Sequence, residues 1–140
     1  MTPGLRDVFA DTSFWIALVV KQDEYHDRAQ KSSLRIMGRI TTTVPVLLET
    51  ANALARPAWR PHGIALIEHL QQRPDVEIRE LSPELWQRGW DLYRNRPDKA
   101  WSLTDCISFL VMQDAGLVDA LTADEHFQQA GFRAVLLGDP

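Results

Sequence analysis

The sequence predicts an α/β fold of three layers, in which helices cover both faces of a parallel β-sheet. Short apolar or β-branched segments alternate along the chain with longer segments that have helical periodicity. This alternation is typical of parallel strands, because each pair needs a crossover connection, usually a helix. No repeat or linker divides the 140 residues, so we expect a single domain. The segments with strand character are residues 8–10, 40–44, 76–79, 117–122 and 134–137.

The composition indicates a globular protein of a reducing compartment. Hydrophobic residues make up 45% of the chain, enough to bury a core at this length. Cys106 is the one cysteine, and the sequence contains neither a secretory signal nor an apolar run long enough to span a membrane. We therefore expect a cytoplasmic protein. The formal net charge of −4 argues against a general nucleic-acid coat but leaves room for a nuclease with metal-binding acids.

The first predicted strand ends at a carboxylate. Asp11 follows residues 8–10 directly, and an apolar helix begins immediately after it. In open α/β sheets, ligands bind in the crevice outside the carboxyl ends of the strands, which makes Asp11 a candidate functional residue. The alternative is an acid that merely favours the helix start, although Thr12 or Ser13 would cap that helix without its help.

The second predicted strand, residues 40–44, leads into an apolar helix that carries one polar stripe. Pro45 suits the first turn of this helix, which we expect to end at Leu54. Glu49, Asn52 and Arg56 follow one another at spacings of three and four, so they share a face. An acid in so apolar a segment is costly unless it is paired or bound to a metal. A Glu49 to Arg56 ion pair or a solvated stripe is the structural alternative.

Residues 56–63 contain two prolines, a glycine and Trp59, a composition that predicts a loop. Arg56 and Arg60 flank Trp59, a combination suited to binding nucleic-acid phosphates and stacking on a base. A surface for a partner protein explains the same residues equally well. Beyond this loop, residues 64–70 have the pattern of a short amphipathic helix.

A further helix begins at Ser82, where a capping residue, a proline and an acid follow one another. We expect it to end before Pro97. Its aromatic side chains, Trp86 and Tyr93 among them, favour a core or interface role over a base-stacking platform.

The next helix brings a second candidate acid. Ser102 and Asp105 stand three residues apart at its start, the spacing of a capping box, which is a structural alternative for Asp105. Gly116 ends this helix. Asp124 follows the predicted strand at residues 117–122, so it is again an acid between a strand and a helix. His126 is interpreted as a surface residue, because no second histidine or cysteine stands at ligand spacing.

Four carboxylates are expected at one edge of the sheet. In a parallel sheet, the carboxyl ends of the strands lie on the same side, which groups Asp11, Glu49, Asp105 and Asp124. Such acids repel one another unless a cation neutralises them, and oxygen ligands favour Mg²⁺ or Mn²⁺. These ions activate water and neutralise charge on a phosphodiester that is being cleaved.

The ordered motifs resemble those of the PIN domain family, in particular the VapC-type ribonuclease toxins of prokaryotic toxin and antitoxin pairs. The resemblance covers nearly the whole chain. The motifs are Asp11-Thr12-Ser13, Glu49 in its apolar helix, Ser102-Leu103-Thr104-Asp105, and Thr122-Ala123-Asp124-Glu125-His126-Phe127.

This resemblance implies a Rossmann-like α/β/α fold with five parallel strands and a Mg²⁺-dependent endoribonuclease. Asp11 and Asp105 would be the principal metal ligands, completed by Glu49 and Asp124. Thr12, Ser102 or Thr104 would orient them, with Asn52 close by. The family also implies a homodimer and a small antitoxin that covers the acidic groove.

Two other classes of protein are compatible with acids at the ends of parallel strands. A phosphotransfer domain of the receiver or haloacid dehalogenase type also places acids at strand ends, but the first needs a lysine near the last strand and the second an Asp-x-Asp motif. Asp11-Thr12-Ser13 does not supply that motif. A PIN-like module that binds RNA or a partner without cleavage is the other possibility.

Overall fold

The computed structural model describes residues 4–138. Five parallel strands form one sheet in the order β3-β2-β1-β4-β5. The strands are β1 Val8–Ala10, β2 Ile40–Thr43, β3 Val76–Arg79, β4 Asp119–Leu121 and β5 Arg133–Ala134. The helices are α1 Thr12–Val19, α2 His26–Ser33, α3 Val44–Ala53, α4 Arg60–Gln72, α5 Pro83–Asn95, α6 Leu103–Ala115 and α7 Glu125–Gln129. The predicted three-layer α/β fold with a five-stranded parallel sheet is confirmed.

The central strand β1 explains where a site forms. Every residue of β1 is buried, and the strand pairs with β2 on one side and β4 on the other. β2 and β3 lie on one side of β1, and β4 and β5 lie on its other side. The direction in which successive strands are added therefore reverses between β1 and β4. Loops diverge at such a switch point and leave a crevice at the carboxyl ends of the two strands. Asp11 follows β1 at this crevice, and its N–H donates to the Leu121 carbonyl of β4 at 3.1 Å.

Aromatic packing fixes the helices that border this crevice. Phe109 of α6 meets both Trp101 and Phe127 edge to face, with ring centroids 5.0 Å apart in each pair. Phe127 of α7 also lies 6.2 Å from Phe9 of β1. These four side chains are buried, and rings in such arrangements add to the stability that burial provides. The first turns of α6 and α7 are therefore anchored to the central strand.

The predicted loop at residues 56–63 is partly wrong, because α4 begins at Arg60. Pro61 occupies the first turn of α4, where a helix needs no backbone N–H and where the fixed φ of proline is favourable. The proline that suggested a break is thus part of the helix start. Gly63 lies within α4, where a Cβ atom would come 3.3 Å from the Cβ of Leu54.

The last strand is shorter than predicted. β5 contains only Arg133 and Ala134, and the chain then turns, with the N–H groups of Leu137 and Gly138 donating to the Ala134 carbonyl at 3.0 and 3.1 Å. Leu136 is nevertheless fully buried. An apolar run at the end of a chain satisfies burial equally well as a turn, so its composition did not distinguish the two.

No helix among residues 4–138 combines the length and the apolar character needed to cross a membrane.

Candidate metal centre

Asp11 is held by hydroxyl groups from both sides of the crevice. Its side chain is 4% exposed. Thr122 Oγ1 donates to Asp11 Oδ2 at 2.9 Å, and Ser13 Oγ donates to the same oxygen at 3.3 Å. Asp11 occupies the N-cap position of α1, yet its side chain makes no capping hydrogen bond. Its role as a simple helix-start acid is therefore not supported.

Burial raises the pKa of Asp11 to about 7, with the charges of Asp105 and Asp124 acting in the same direction. The hydrogen bond from Thr122 opposes this shift. A carboxylate in this environment lacks the cation that would compensate for its desolvation. Among residues 4–138, no lysine or arginine forms an ion pair with it.

A hydroxyl network joins the ends of β1 and β4. Ser13 Oγ lies 3.0 Å from Thr122 Oγ1 and accepts the Ala123 N–H at 2.9 Å. Thr122 Oγ1 also accepts the Asp124 N–H at 3.0 Å. Ser13 and Thr122 were not among the predicted site residues, although their positions beside Asp11 and Asp124 were visible in the sequence. They position the acids rather than adding charge.

Asp105 takes part in a capping box and in the acidic cluster at once. Its N–H donates to Ser102 Oγ at 2.9 Å, and its Oδ2 accepts the Ser102 N–H at 3.1 Å. The same Oδ2 lies 3.0 Å from His126 Nδ1. Burial raises the pKa of Asp105, and the negative charge of Asp124 adds to this effect. The capping box therefore fixes the side chain and does not exclude a functional role.

The interpretation of His126 as a surface residue, made from the sequence, is wrong. Its Nδ1 lies 3.0 Å from Asp105 Oδ2 and 3.2 Å from Asp124 Oδ1, and its side chain is only 23% exposed. Asp124 caps α7 by accepting the His126 N–H at Oδ1. With the first turn of α7 capped in this way, the imidazole lies beside the carboxylates of both Asp105 and Asp124. The signal in the sequence was the two-residue spacing, since Asp and Asn at helix starts bind the second following N–H.

Asp105, Asp124 and His126 offer one ligand atom each within 4.8 Å of one another. Asp11 lies outside this group but is close enough to feel the charges of the two other acids. Thr12 Oγ1 is buried and has no hydrogen-bond partner among residues 4–138. Buried carboxylates with raised pKa values and an unpaired hydroxyl are a donor set that fits a hard divalent cation. The imidazole is a ligand more typical of transition metals than of Mg²⁺.

Glu49 is not brought into this group. It lies on α3 with an exposed side chain, as does Asn52. Within residues 4–138 neither residue forms a side-chain hydrogen bond, and the Glu49 to Arg56 ion pair does not form. The expectation of a costly acid inside an apolar segment was wrong, because Val44 and Leu48 of the same helix are also exposed, at 42% and 62%.

The remaining predicted residues lie at the borders of the crevice or away from it. Ser102 belongs to the capping box described above, and Thr104 is half-buried in the first turn of α6. The Arg56 guanidinium lies 4.6 Å from the centre of the Trp59 ring. Arg60 begins α4 and is exposed.

The PIN domain model matches residues 8–133 of the chain. The chain belongs to the PIN domain family. Its predicted resemblance to this family and to the VapC-type nucleases within it is confirmed. The matched segment extends from β1 to β5 and contains all the acidic residues described above.

Curated and solved relatives agree with this placement. The chain is 28% identical over 125 residues to the 23S rRNA-specific endonuclease VapC20 from two strains of Mycobacterium tuberculosis, with 89% of this chain and 95% of the relative covered. The crystal structure of M. tuberculosis VapC20, described as a Sarcin-Ricin loop cleaving toxin, superposes with a TM-score of 0.85 at 27% identity and covers 91% of this chain and 97% of that one.

A more distant structure shares the fold alone. VapBC2 from Rickettsia felis, bound to a DNA fragment from its promoter, matches with a TM-score of 0.61 at 11% identity. It covers 89% of this chain and 92% of that chain.

Proposed function

We propose that this PIN domain is an endoribonuclease that requires Mg²⁺ or Mn²⁺ and hydrolyses RNA phosphodiester bonds at the acidic crevice. One observation carries the proposal. Asp11 and Asp105 are buried at the carboxyl ends of the sheet with raised pKa values and no lysine or arginine partner among residues 4–138. Buried charges without a partner are costly, and a divalent cation removes that cost.

Asp11, Asp105 and Asp124 would hold the metal, with His126 close enough to contribute its imidazole. The bound ion supplies Lewis-acid chemistry, since it lowers the pKa of water and neutralises charge on the phosphodiester. We propose Glu49 as a fourth acid, whose exposed side chain on α3 lies outside this group in the structure and would join it when the metal and RNA bind. Thr12, Ser102 and Thr104 orient the acids, and Asn52 lies one turn beyond Glu49.

The protein's own residues supply positioning. Hydrogen bonds from Thr122 and Ser13 fix Asp11, the capping box fixes Asp105, and the α7 cap fixes Asp124. Acids held in this way need little rearrangement when a cation and substrate arrive, which favours rapid chemistry. Arg56 and Arg60 are assigned to contacts with RNA phosphates.

We further propose that this nuclease is the toxin of a toxin and antitoxin pair. The likeness to VapC20 over most of both chains supports this assignment. A small antitoxin would cover the acidic crevice, and the toxin would form a homodimer. The proposed RNA substrate supports a cytoplasmic location, which is part of this proposal.

The test is whether the purified protein cleaves a labelled single-stranded RNA in the presence of Mn²⁺ or Mg²⁺. A chelator should abolish this cleavage. Asp105→Asn keeps the shape and one acceptor for the Ser102 N–H but loses the charge. We expect its cleavage rate to fall at least roughly 100-fold, since loss of even a group behind a metal ligand costs about 10–100-fold. Its metal-free stability should hold or rise, because repulsion within the cluster decreases.

Asp119→Asn is the matched control. Asp119 accepts a hydrogen bond from Arg133 Nε at 2.7 Å on β4, outside the acidic crevice. This variant should cleave like the wild type, since a surface ion pair contributes at most about 1 kcal/mol. Full activity in Asp105→Asn would return Asp105 to a purely structural role. Binding of RNA without cleavage by the wild type would favour a binding module.

A further inference from the structure

A row of exposed aromatic rings lies on α5. Trp86, Trp90 and Tyr93 are spaced by four and three residues, so they share one face of the helix. They are exposed by 45%, 40% and 45%. The rings of Trp86 and Trp90 are 6.2 Å apart with planes 8° from parallel, and those of Trp90 and Tyr93 are 5.7 Å apart at 24°. We call these three residues the aromatic row.

The core does not explain this row. The adjoining face of α5, which contains the buried residues Leu85 and Gly89, packs on α6, where a Cβ atom at Gly89 would meet Ile107 Cγ1 at 2.7 Å. That close approach uses the inner face of the helix and leaves the aromatic row in solvent. Contiguous exposed aromatic surface on a globular domain is typical of a binding site.

A groove of about 830 Å³ continues from the aromatic row. Its lining contains Trp90 and Tyr93 of the aromatic row and also Ser102 and Leu103 at the start of α6. Ser102 is the residue whose N–H donates to Asp105 Oδ2 at 3.1 Å. The groove is therefore bounded both by the aromatic row and by a residue that binds Asp105 of the acidic crevice.

The charged residues that line this groove are all cations: Arg94, Arg96 and Lys99. Arg96 is paired with Asp98 outside the lining, with two contacts of 3.0 Å, and Arg94 lies 3.7 Å from Asp91. Lys99 contacts the Trp101 ring at 5.9 Å and has no carboxylate partner within residues 4–138. A cationic groove on a chain of net charge −4 is complementary to a phosphate backbone.

We infer that the aromatic row and this groove form a docking surface for single-stranded RNA, which leads the strand to the acidic crevice. Bases stack on the exposed rings, and phosphates lie along Arg94, Arg96 and Lys99. The inference rests on the proposed ribonuclease activity. Stacking platforms beside cationic grooves suit unpaired bases, because every base has a π-face and an unpaired strand leaves it free. A twofold contact between copies would instead bring like charges toward one another.

The test measures binding with no cleavage. A fluorescein-labelled 12-nucleotide oligouridylate, which is unstructured, is titrated with protein in EDTA and followed by anisotropy. Trp90→Ala should weaken binding about 5- to 150-fold, the range that loss of one stacked base predicts. Trp90→Phe retains a ring and should bind within a few-fold of the wild type. Val118→Ala removes another exposed apolar side chain, 64% exposed, away from the groove, and should bind like the wild type.

A salt titration tests the cationic part of the surface. Lys99→Ala should reduce the slope of log affinity against log salt by about 0.7, the value for one phosphate contact on a single strand. Trp90→Ala should leave this slope unchanged. Thermal melting of each variant identifies any loss of binding that comes from unfolding, and Trp90→Phe keeps the test valid if Trp90→Ala is unstable.

Three outcomes would overturn the inference: no binding by the wild type, equal binding by Trp90→Ala, or a wild-type dimer that Trp90→Ala converts to a monomer in light scattering. The last would make this face an interface between copies. Cleavage by the wild type together with unchanged binding by the variants would refute the docking surface alone. Weakened binding by the variants with no cleavage by the wild type would refute the ribonuclease and leave the docking surface in place.

Discussion

Asp11 shows most directly how burial and charge conflict at the site. Its pKa is raised to about 7, whereas an aspartate in an unfolded chain titrates near 3.9. Between these values the folded protein holds a proton that the unfolded chain has released. The contribution of Asp11 to the free energy of unfolding is therefore highest below about pH 4 and falls as the pH rises through about 7. A shift of this size corresponds to a loss on the order of 4 kcal/mol by pH 8.

We expect Asp11→Asn to remove this loss in metal-free protein. Asparagine stays neutral at every pH and keeps an acceptor for the Thr122 hydroxyl. The variant should be more stable than the wild type by a small margin at pH 5 and by a much larger margin at pH 8, as measured by urea unfolding in EDTA. Asp119→Asn is the control, because Asp119 pairs with Arg133 at the surface. The difference in stability between this variant and the wild type should not widen from pH 5 to pH 8. A gap for Asp11→Asn that is constant from pH 5 to pH 8 would contradict the assignment.

At the scale of elements, the contact between α5 and α6 sets the relation between the aromatic row and the acidic crevice. Gly89 allows this approach, since a Cβ atom there would lie 2.7 Å from Ile107 Cγ1 and 3.9 Å from its Cα. Ile107 is buried two residues after Asp105. Any added volume at Gly89 must therefore move α5 or disturb the helix that carries Asp105.

Gly89→Ala should destabilise the fold by about 1–3 kcal/mol, the usual cost of overpacking. Its gain in helix propensity, at most about 1 kcal/mol, offsets only part of that cost. Chemical denaturation measures the difference. Gln87→Ala on the exposed face of α5 serves as the control and should change stability by less than about 0.5 kcal/mol. A Gly89→Ala protein as stable as the wild type would show that the two helices separate freely.

At the scale of the whole molecule, the sheet brings the acids together, and a metal should link them to global stability. A cation that binds only the folded state stabilises it by about 2.7 kcal/mol at a hundredfold excess over Kd. For a domain of this size, that corresponds to a rise in Tm of roughly 5–10 °C. We expect this rise with millimolar Mn²⁺ in calorimetry.

The matched comparison is the Asp105→Asn protein, which should show a much smaller rise with Mn²⁺. Asp119→Asn should respond like the wild type. A wild-type Tm that does not move with Mn²⁺ would argue against strong metal binding at the carboxyl edge of the sheet. This measurement does not depend on knowing the RNA substrate.

The sequence by itself determined the order of elements and the edge at which Asp11, Asp105 and Asp124 lie. Hydrophobic periodicity depends on local burial, and parallel strands linked by helical crossovers place all their carboxyl ends on one side. The capping box was also readable, because Ser102 and Asp105 are neighbours on one helical turn. These features depend on contacts that are short in sequence or fixed by strand direction.

Only the tertiary structure decided which faces of the helices are covered. Glu49 belongs to an apolar segment but lies on an exposed face of α3, and the aromatic row is in solvent because Gly89 lies on the inner face of α5. His126 meets Asp105 across 21 residues of sequence. The hydroxyl of Thr122 reaches Asp11 only because β1 and β4 are neighbours in the sheet. An amphipathic pattern indicates that one face of a helix is apolar, whereas the packing of segments distant in sequence determines what covers that face.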